Sequence, residues 1–208
     1  MEQSANQWSG YYKAQIGRSL RPVFVDALAR FTPSTPDASP RLAIDLGCGD
    51  GAETLALLQH GWQVLAIDQE AEAISQVQAK ALADYGERLE TRVEAFEQLV
   101  LPSANFVYAG YSLPFCPPAH FDALWTKIVT ALPIGGRFAG QLFGDHDSWT
   151  SNPTMTFHSA EQARRRFSQF AIESWEDVEE DGNAFSGPKH WHIFHVIARK
   201  TLRLHPQR

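Results

Sequence analysis

The chain has 208 residues, 44% of them hydrophobic and 20% charged, which excludes a disordered, collagen-like or disulfide-built protein and predicts one globular domain with a sizeable core. A formal net charge of -6 without any basic stripe argues against a binder of long nucleic acid. Two cysteines are too few for a disulfide framework, and neither a signal-like start nor a membrane-length apolar run is visible, so the expectation is a cytoplasmic protein, monomer or homodimer, with no membrane partner.

In chain order, residues 1–40 read as an aromatic arm (Trp8, Tyr11, Tyr12), a helix over 20–31 and a proline-containing linker over 32–40, all part of one domain with residues 41–208. Short apolar runs then alternate with helical patterns. Strands are predicted over 42–46, 63–67, 89–93, 105–109 and 137–143, and helices over 52–60, 70–85 and 121–132. Gly61 and Gly86 stand where helix-closing glycines are expected. This alternation predicts a doubly wound α/β fold with a parallel sheet. The style changes after a helix over 160–167. Two strands, 171–178 and 191–198, follow each other across Asp181-Gly182-Asn183 and read as an antiparallel hairpin. Six acids between Glu173 and Asp181 read as the solvated face of an edge strand.

The strongest local signal is Asp45-Leu46-Gly47-Cys48-Gly49-Asp50-Gly51, placed between a strand and a helix, with Asp68 at the end of the next strand. Glycines let a ligand approach the backbone closely, the helix start offers free amides, and a carboxylate can accept both hydroxyls of a ribose. Gly47-x-Gly49-x-x-Ala52 with a later acid also fits a dinucleotide fingerprint. An NAD-dependent oxidoreductase and a non-catalytic cofactor-binding module therefore stand as alternatives.

Together with Leu132-Pro133-Ile134-Gly135-Gly136 before a strand and the terminal hairpin, the loop resembles the class I S-adenosylmethionine-dependent methyltransferases. The likeness is firm over residues 41–145, and within the family it is loosely similar to the small cytosolic tellurite-resistance group. The resemblance implies a mostly parallel, seven-stranded Rossmann-like sheet with a C-terminal antiparallel hairpin. It implies S-adenosyl-L-methionine as cofactor and S-adenosyl-L-homocysteine as product. Carried over by position, the backbone of Gly47, Cys48 and Gly49 would line the methionine part, with Asp45 orienting its amino group. Asp68 would bind the ribose and Gln69 would lie beside the adenine. Glu94, Ala95 and Phe96 would meet the adenine amino edge, Glu94 departing from the frequent Asp. Tyr111 and Ser112 would flank the methyl group. Tyr-Ser-Leu-Pro-Phe in place of Asn-Pro-Pro-Tyr argues against methylation of base nitrogens, and a small-molecule acceptor is expected.

Tyr11 is a candidate lid over the sulfonium, and Arg18 or Arg21 a candidate partner of the cofactor carboxylate. Tyr111, Asp145 and His146 are the candidate catalytic residues. Asp145 or His146 would serve as base or anchor, in a pocket lined by Tyr111, Phe115, His146 and Trp149. His190, His192 and His195 look like a metal cluster, but strand alternation points the first two away from the third, so no metal is expected. Cys48 has no basic neighbour to activate it and is read as a packing residue.

Overall fold

The computed structural model describes residues 17–31 and 41–201. Trp8, Tyr11, Tyr12 and the expected linker over 32–40 lie outside the described residues. The elements in order are α1 (Pro22–Ala29), β1 (Leu42–Leu46), α2 (Ala52–Gln59), β2 (Gln63–Asp68), α3 (Ala71–Tyr85), β3 (Leu89–Val93), β4 (Phe106–Ala109), α4 (Pro118–Ala131), β5 (Arg137–Gly144), β6 (Phe157–His158), α5 (Ala160–Arg166), β7 (Phe170–Ala184) and β8 (Gly187–Lys200).

The strands form one sheet in the order β3-β2-β1-β4-β5-β8-β7, with β6 beside the end of β5. Strands β3 to β5 along this path run parallel, and β8 pairs antiparallel with both β5 and β7. This is the expected doubly wound sheet plus one strand. β6 is two residues long, too short to leave a period in the sequence. Helices cover both faces, which is why the central strands read as nearly continuous apolar runs. One core packs Phe24, Leu57, Ile74 and Val77 from α1, α2 and α3 beneath Ala43, Ala66 and Phe106. The other packs Phe121, Trp125, Ile128 and Ala163 from α4 and α5 against Ile44, Val107 and Phe138. No described helix is long and apolar enough to cross a membrane.

Three local expectations change. Gly61 has the left-handed φ of +84° expected after a helix end, but Gly86 has φ −53° and instead leads into a short 3-10 turn over Gly86–Arg88. The hairpin is longer than its apolar pattern. Asp181, Gly182 and Asn183 are paired with His190, Lys189 and Pro188, so the turn falls at Phe185 and Ser186. The His190–Asp181 side-chain bond of 2.7 Å supports that extension. A register shift between Ile172 and Ser174 accommodates Glu173, which takes a two-point bond from Arg137 at 2.8 and 3.1 Å.

Candidate active site

A cavity of about 1030 Å3 opens beyond the carboxyl ends of β1, β2, β4 and β5, where parallel sheets of this kind bind ligands. The chain leaves β1 through Gly47, Gly49 and Gly51, all left-handed at φ +72°, +52° and +78°. A side chain at Gly47 would collide with Ser112, so the loop must be bare for the turn after β4 to reach it. The amides of Gly47 and Cys48 donate to the Ile67 carbonyl at 2.8 and 3.0 Å. The Gly49 amide donates to Asp68 Oδ2 at 3.0 Å, and Asp68 Oδ1 accepts from the Glu70 amide at 3.0 Å. Asp68 is therefore fixed by backbone bonds at the mouth of the cavity. Gly47, Cys48, Gly49, Asp68 and Gln69 line one stretch of wall, continued by Glu94 and Phe96. Ala95 is not in the wall; its carbonyl accepts from the Gln98 amide and turns the chain back.

Tyr111 and Ser112 occupy the middle of the cavity. Tyr111 is the sole non-glycine residue with positive φ among those described, at +59°, a conformation that costs about 1–3 kcal/mol for such a side chain. It is held there from below. Its amide donates to Oε1 of the buried Gln141 at 2.9 Å, and Gln141 Nε2 meets His195 Nδ1 at 3.3 Å. The His195 ring stands edge-on to Tyr111 at 6.1 Å, and the Arg21 guanidinium lies over Tyr111 at 5.3 Å. His195 thus reaches the site from its strand, while His190 and His192 point to the other face, as the alternation predicts.

Two cofactor expectations are met differently. Arg18 lines the cavity, and so does Arg21. Both guanidinium groups bond to Glu53 in the first turn of α2, and Arg18 also reaches Asp50 at 3.1 Å. Burial pushes the Glu53 carboxyl up, but the Arg18 hydrogen bond and both positive charges outweigh it and hold the group below its ordinary range. This clasp ties residues 17–31 to the glycine loop. Glu53 carried no signal in the sequence beyond being an acid near a helix start. Asp45 is 2% exposed and does not line the cavity, accepting from Thr54 Oγ1 at 2.6 Å. Its side chain braces α2, and burial drives its pKa up to about 7.

Asp145 and His146 stand apart from these residues. Neither lines the cavity. The His192 ring packs across Gly144, whose missing side chain makes room for it. The His146 amide donates to His192 Nδ1 at 3.1 Å, and the two imidazoles stack at 4.8 Å. The loop after β5 is thereby drawn to the opposite face of the sheet, where His146 also meets Glu179 at 3.2 Å. Asp145, His146 and His192 bring ligand-type atoms within 4.8 Å of one another. Both His192 nitrogens already have partners, the second being Asp177 at 3.2 Å.

The loop returns at Asp147. Beyond it Trp149 joins Phe115, Phe143 and Trp191 to make the far wall of the cavity, and the hairpin tip closes it with Asn183 and Phe185. Phe115 and Trp149 were expected there. Trp191 was legible in principle, since it shares the alternating face of β8 with Ile193 and His195. Cys48 and Cys116 are buried free thiols, and burial raises both, Cys116 to about 11, which removes them as nucleophiles.

Residues 43–136 match a family model described as a methyltransferase domain. No curated protein matches the sequence. Among solved structures, the fold is similar to TehB from Haemophilus influenzae, with a TM-score of 0.75 and 15% identity over 92% of this chain. The chain spans 66% of the length of that protein. It is also similar to a chain of the complex between the Haloferax volcanii Trm112 methyltransferase activator and its methyltransferase, with a TM-score of 0.69 and 18% identity over 97% of each chain. A third relative is the 1,6-didemethyltoxoflavin-N1-methyltransferase of Burkholderia thailandensis, solved with 1,6-didemethyltoxoflavin and S-adenosylhomocysteine, at a TM-score of 0.62 and 17% identity over 88% of this chain and 78% of that one. A sheet of this order hosts many chemistries. The family match falls on the very stretch that builds the glycine loop and the strands around it, and that stretch is similar to a methyltransferase domain.

Proposed function

We propose that the protein transfers the methyl group of S-adenosylmethionine to a small-molecule acceptor, by in-line displacement, within a single catalytic domain formed by residues 41–208 with the preceding segment packed on it. The observation that carries this reading is one cavity with two unlike ends meeting at Tyr111 and Ser112. One end is backbone and carboxylate; the other is aromatic.

The residues present fit the cofactor. The left-handed glycines allow close approach, and the start of α2 presents its positive end to the loop. Asp68 would hold the ribose, Gln69, Glu94 and Phe96 the adenine, and Gly47 to Gly49 the methionine chain. Arg18 would face the carboxylate from within its Glu53 clasp. When bound, the cofactor supplies a methyl group already activated by a positive sulfur. The chain's remaining task is to align an acceptor behind that methyl and exclude water, and good alignment is worth about 7–11 kcal/mol. Tyr111, pinned by Gln141, is the residue placed to set that alignment. The buried, unpaired cysteines suit a reducing cytoplasm. A relative solved with a small heteroaromatic acceptor supports the small-molecule reading.

A thermal melt tests it. S-adenosylhomocysteine at 100 times its dissociation constant stabilises by about 2.7 kcal/mol, which is roughly 5–10 °C in midpoint for a chain of this size. A shift with S-adenosylhomocysteine and none with NAD is expected. A shift with NAD alone overturns the reading.

A further inference from the structure

We infer that the aromatic end of the cavity receives an uncharged, planar aromatic acceptor laid against Trp149 and Trp191. This rests on reading the glycine-loop end as the cofactor site. Trp149, Trp191 and Phe143 belong to a third apolar cluster, separate from the two cores that hold the domain together. Trp149 and Trp191 are only half-buried, and both line the cavity. Phe143 meets Trp191 at 79° and Tyr111 at 67°, and Trp149 is tilted at 54° to Phe143 and 55° to Trp191. Edge-to-face packing of this kind leaves flat π surface for a flat guest.

The charge around the wall narrows the guest further. The Lys189 side chain is fully buried and paired with Asp147. Its Nζ lies 3.9 Å from the Trp149 ring centre and 4.4 Å from that of Trp191. Lys189 itself does not line the cavity, whereas both indoles do. A ring that already holds a cation on one face is a poor host for a second cation on the other. An anion fares no better. Glu180 is a charged side chain lining this end, and the lining cations Arg18 and Arg21 are both already clasped to Glu53, Arg21 lying over the Tyr111 ring where the two ends meet. Ser148, Asn152 and Thr154 supply hydrogen-bonding groups for a phenolic hydroxyl or a ring nitrogen. In the transfer, the acceptor's oxygen or nitrogen forms a bond to the methyl carbon as the carbon–sulfur bond breaks. The bonding pair returns to sulfur, which becomes a neutral thioether, and the acceptor's proton passes to solvent.

The test uses the full chain with S-adenosylmethionine and three groups of acceptors. These are phenol, catechol and 8-hydroxyquinoline; 2-mercaptoethanol and ethanolamine; and tellurite. Turnover is read as S-adenosylhomocysteine formed, and acceptor binding by calorimetry with S-adenosylhomocysteine present. An aromatic member is expected to bind and to be methylated. Trp149→Ala and Trp191→Ala should each weaken that binding about tenfold, with Trp149→Phe recovering most of it, while S-adenosylhomocysteine affinity moves by less than about twofold. Faster turnover of tellurite, ethanolamine or 2-mercaptoethanol than of every aromatic overturns the inference. So does aromatic binding indifferent to both tryptophans, or no aromatic binding by a chain that binds S-adenosylhomocysteine. Failure to bind S-adenosylhomocysteine overturns the cofactor reading itself, and the inference with it.

Discussion

The two ends of the cavity are built on opposite plans. At the glycine-loop end, the wall is main chain, gathered within a few residues of the ends of β1 and β2, and its shape is set by left-handed glycines and amide bonds. At the aromatic end, the wall is side chain. It is assembled from the turn after β4, the end of β5, the loop beyond it and the far part of β8, and it is set by ring packing around one buried ion pair. Backbone recognition is insensitive to most substitutions and intolerant of a few. Side-chain recognition is adjustable, but each ring depends on its neighbours.

Breaking the ion pair should have the largest effect. Lys189→Met leaves Asp147 buried without its cation, which costs about 3–5 kcal/mol. Urea unfolding should show this loss, and Lys189→Met with Asp147→Leu should recover much of it. The same single variant should leave S-adenosylhomocysteine affinity of the folded chain unchanged, because the damage lies at the other end. Gly47→Ala should instead be felt at the ligand as well as in stability. A left-handed alanine costs about 1–3 kcal/mol, and its methyl displaces Ser112. Calorimetry should show S-adenosylhomocysteine binding weakened by about a hundredfold, an effect of the same size at the ligand.

The smallest effect in the intact chain is its slope with pH, because two groups oppose each other. Burial raises Asp45 from its ordinary 3.8 to about 7. The folded chain keeps a proton there that the unfolded chain releases, so this group's stability is present at low pH and lost as pH rises toward 7. Burial, reinforced by the Arg166 charge, lowers His158 from 6.5 to about 4. The unfolded chain protonates first, so this group's contribution is present above 6.5 and lost as pH falls toward 4. The two trends oppose each other across the same range. Asp45→Asn, which keeps an acceptor for Thr54, should uncover a loss of stability on acidification. His158→Phe should uncover the opposite slope. Denaturant midpoints between pH 4 and 7 would separate them, and parallel curves for both variants would count against these assignments.

What could be read from the sequence follows the same division. The glycine loop and Asp68 were legible because their signal is local: a strand, a bare turn, a helix start and an acid at the next strand end. Asp45 has the same local signal, but which way its buried carboxylate turns depends on Thr54 in the helix that follows. His146 looked well placed after a parallel strand. Its withdrawal depends on His192 filling the space over Gly144, a contact between residues far apart in the chain. The hairpin turn was misread because Asp-Gly-Asn has turn chemistry, whereas the cross-strand partners at positions 188–190 decide the pairing. Trp149 alone is an aromatic residue in a loop. It becomes a wall only when Trp191 and Lys189 arrive beside it.

The unequal lengths of β5 and β8 have a mechanical consequence. β5 supports β8 from Arg199 to Ile193, where their pairing stops. Residues 187–192 pair with β7 alone among the described strands. At about 3.3 Å per residue they project roughly 20 Å as a two-stranded ribbon, a form that is marginal by itself in water. The ribbon is a cantilever with its root in the sheet and Phe185 at its tip. It is propped near the middle at Asp147, which engages Lys189 and the His192 amide, and by the Ser148 amide bonding to the His190 carbonyl. Flexing about that prop moves the tip most and the root least. The mouth of the aromatic chamber can therefore breathe while the glycine-loop end stays fixed, with amide exchange fastest at the tip and falling toward Ile193.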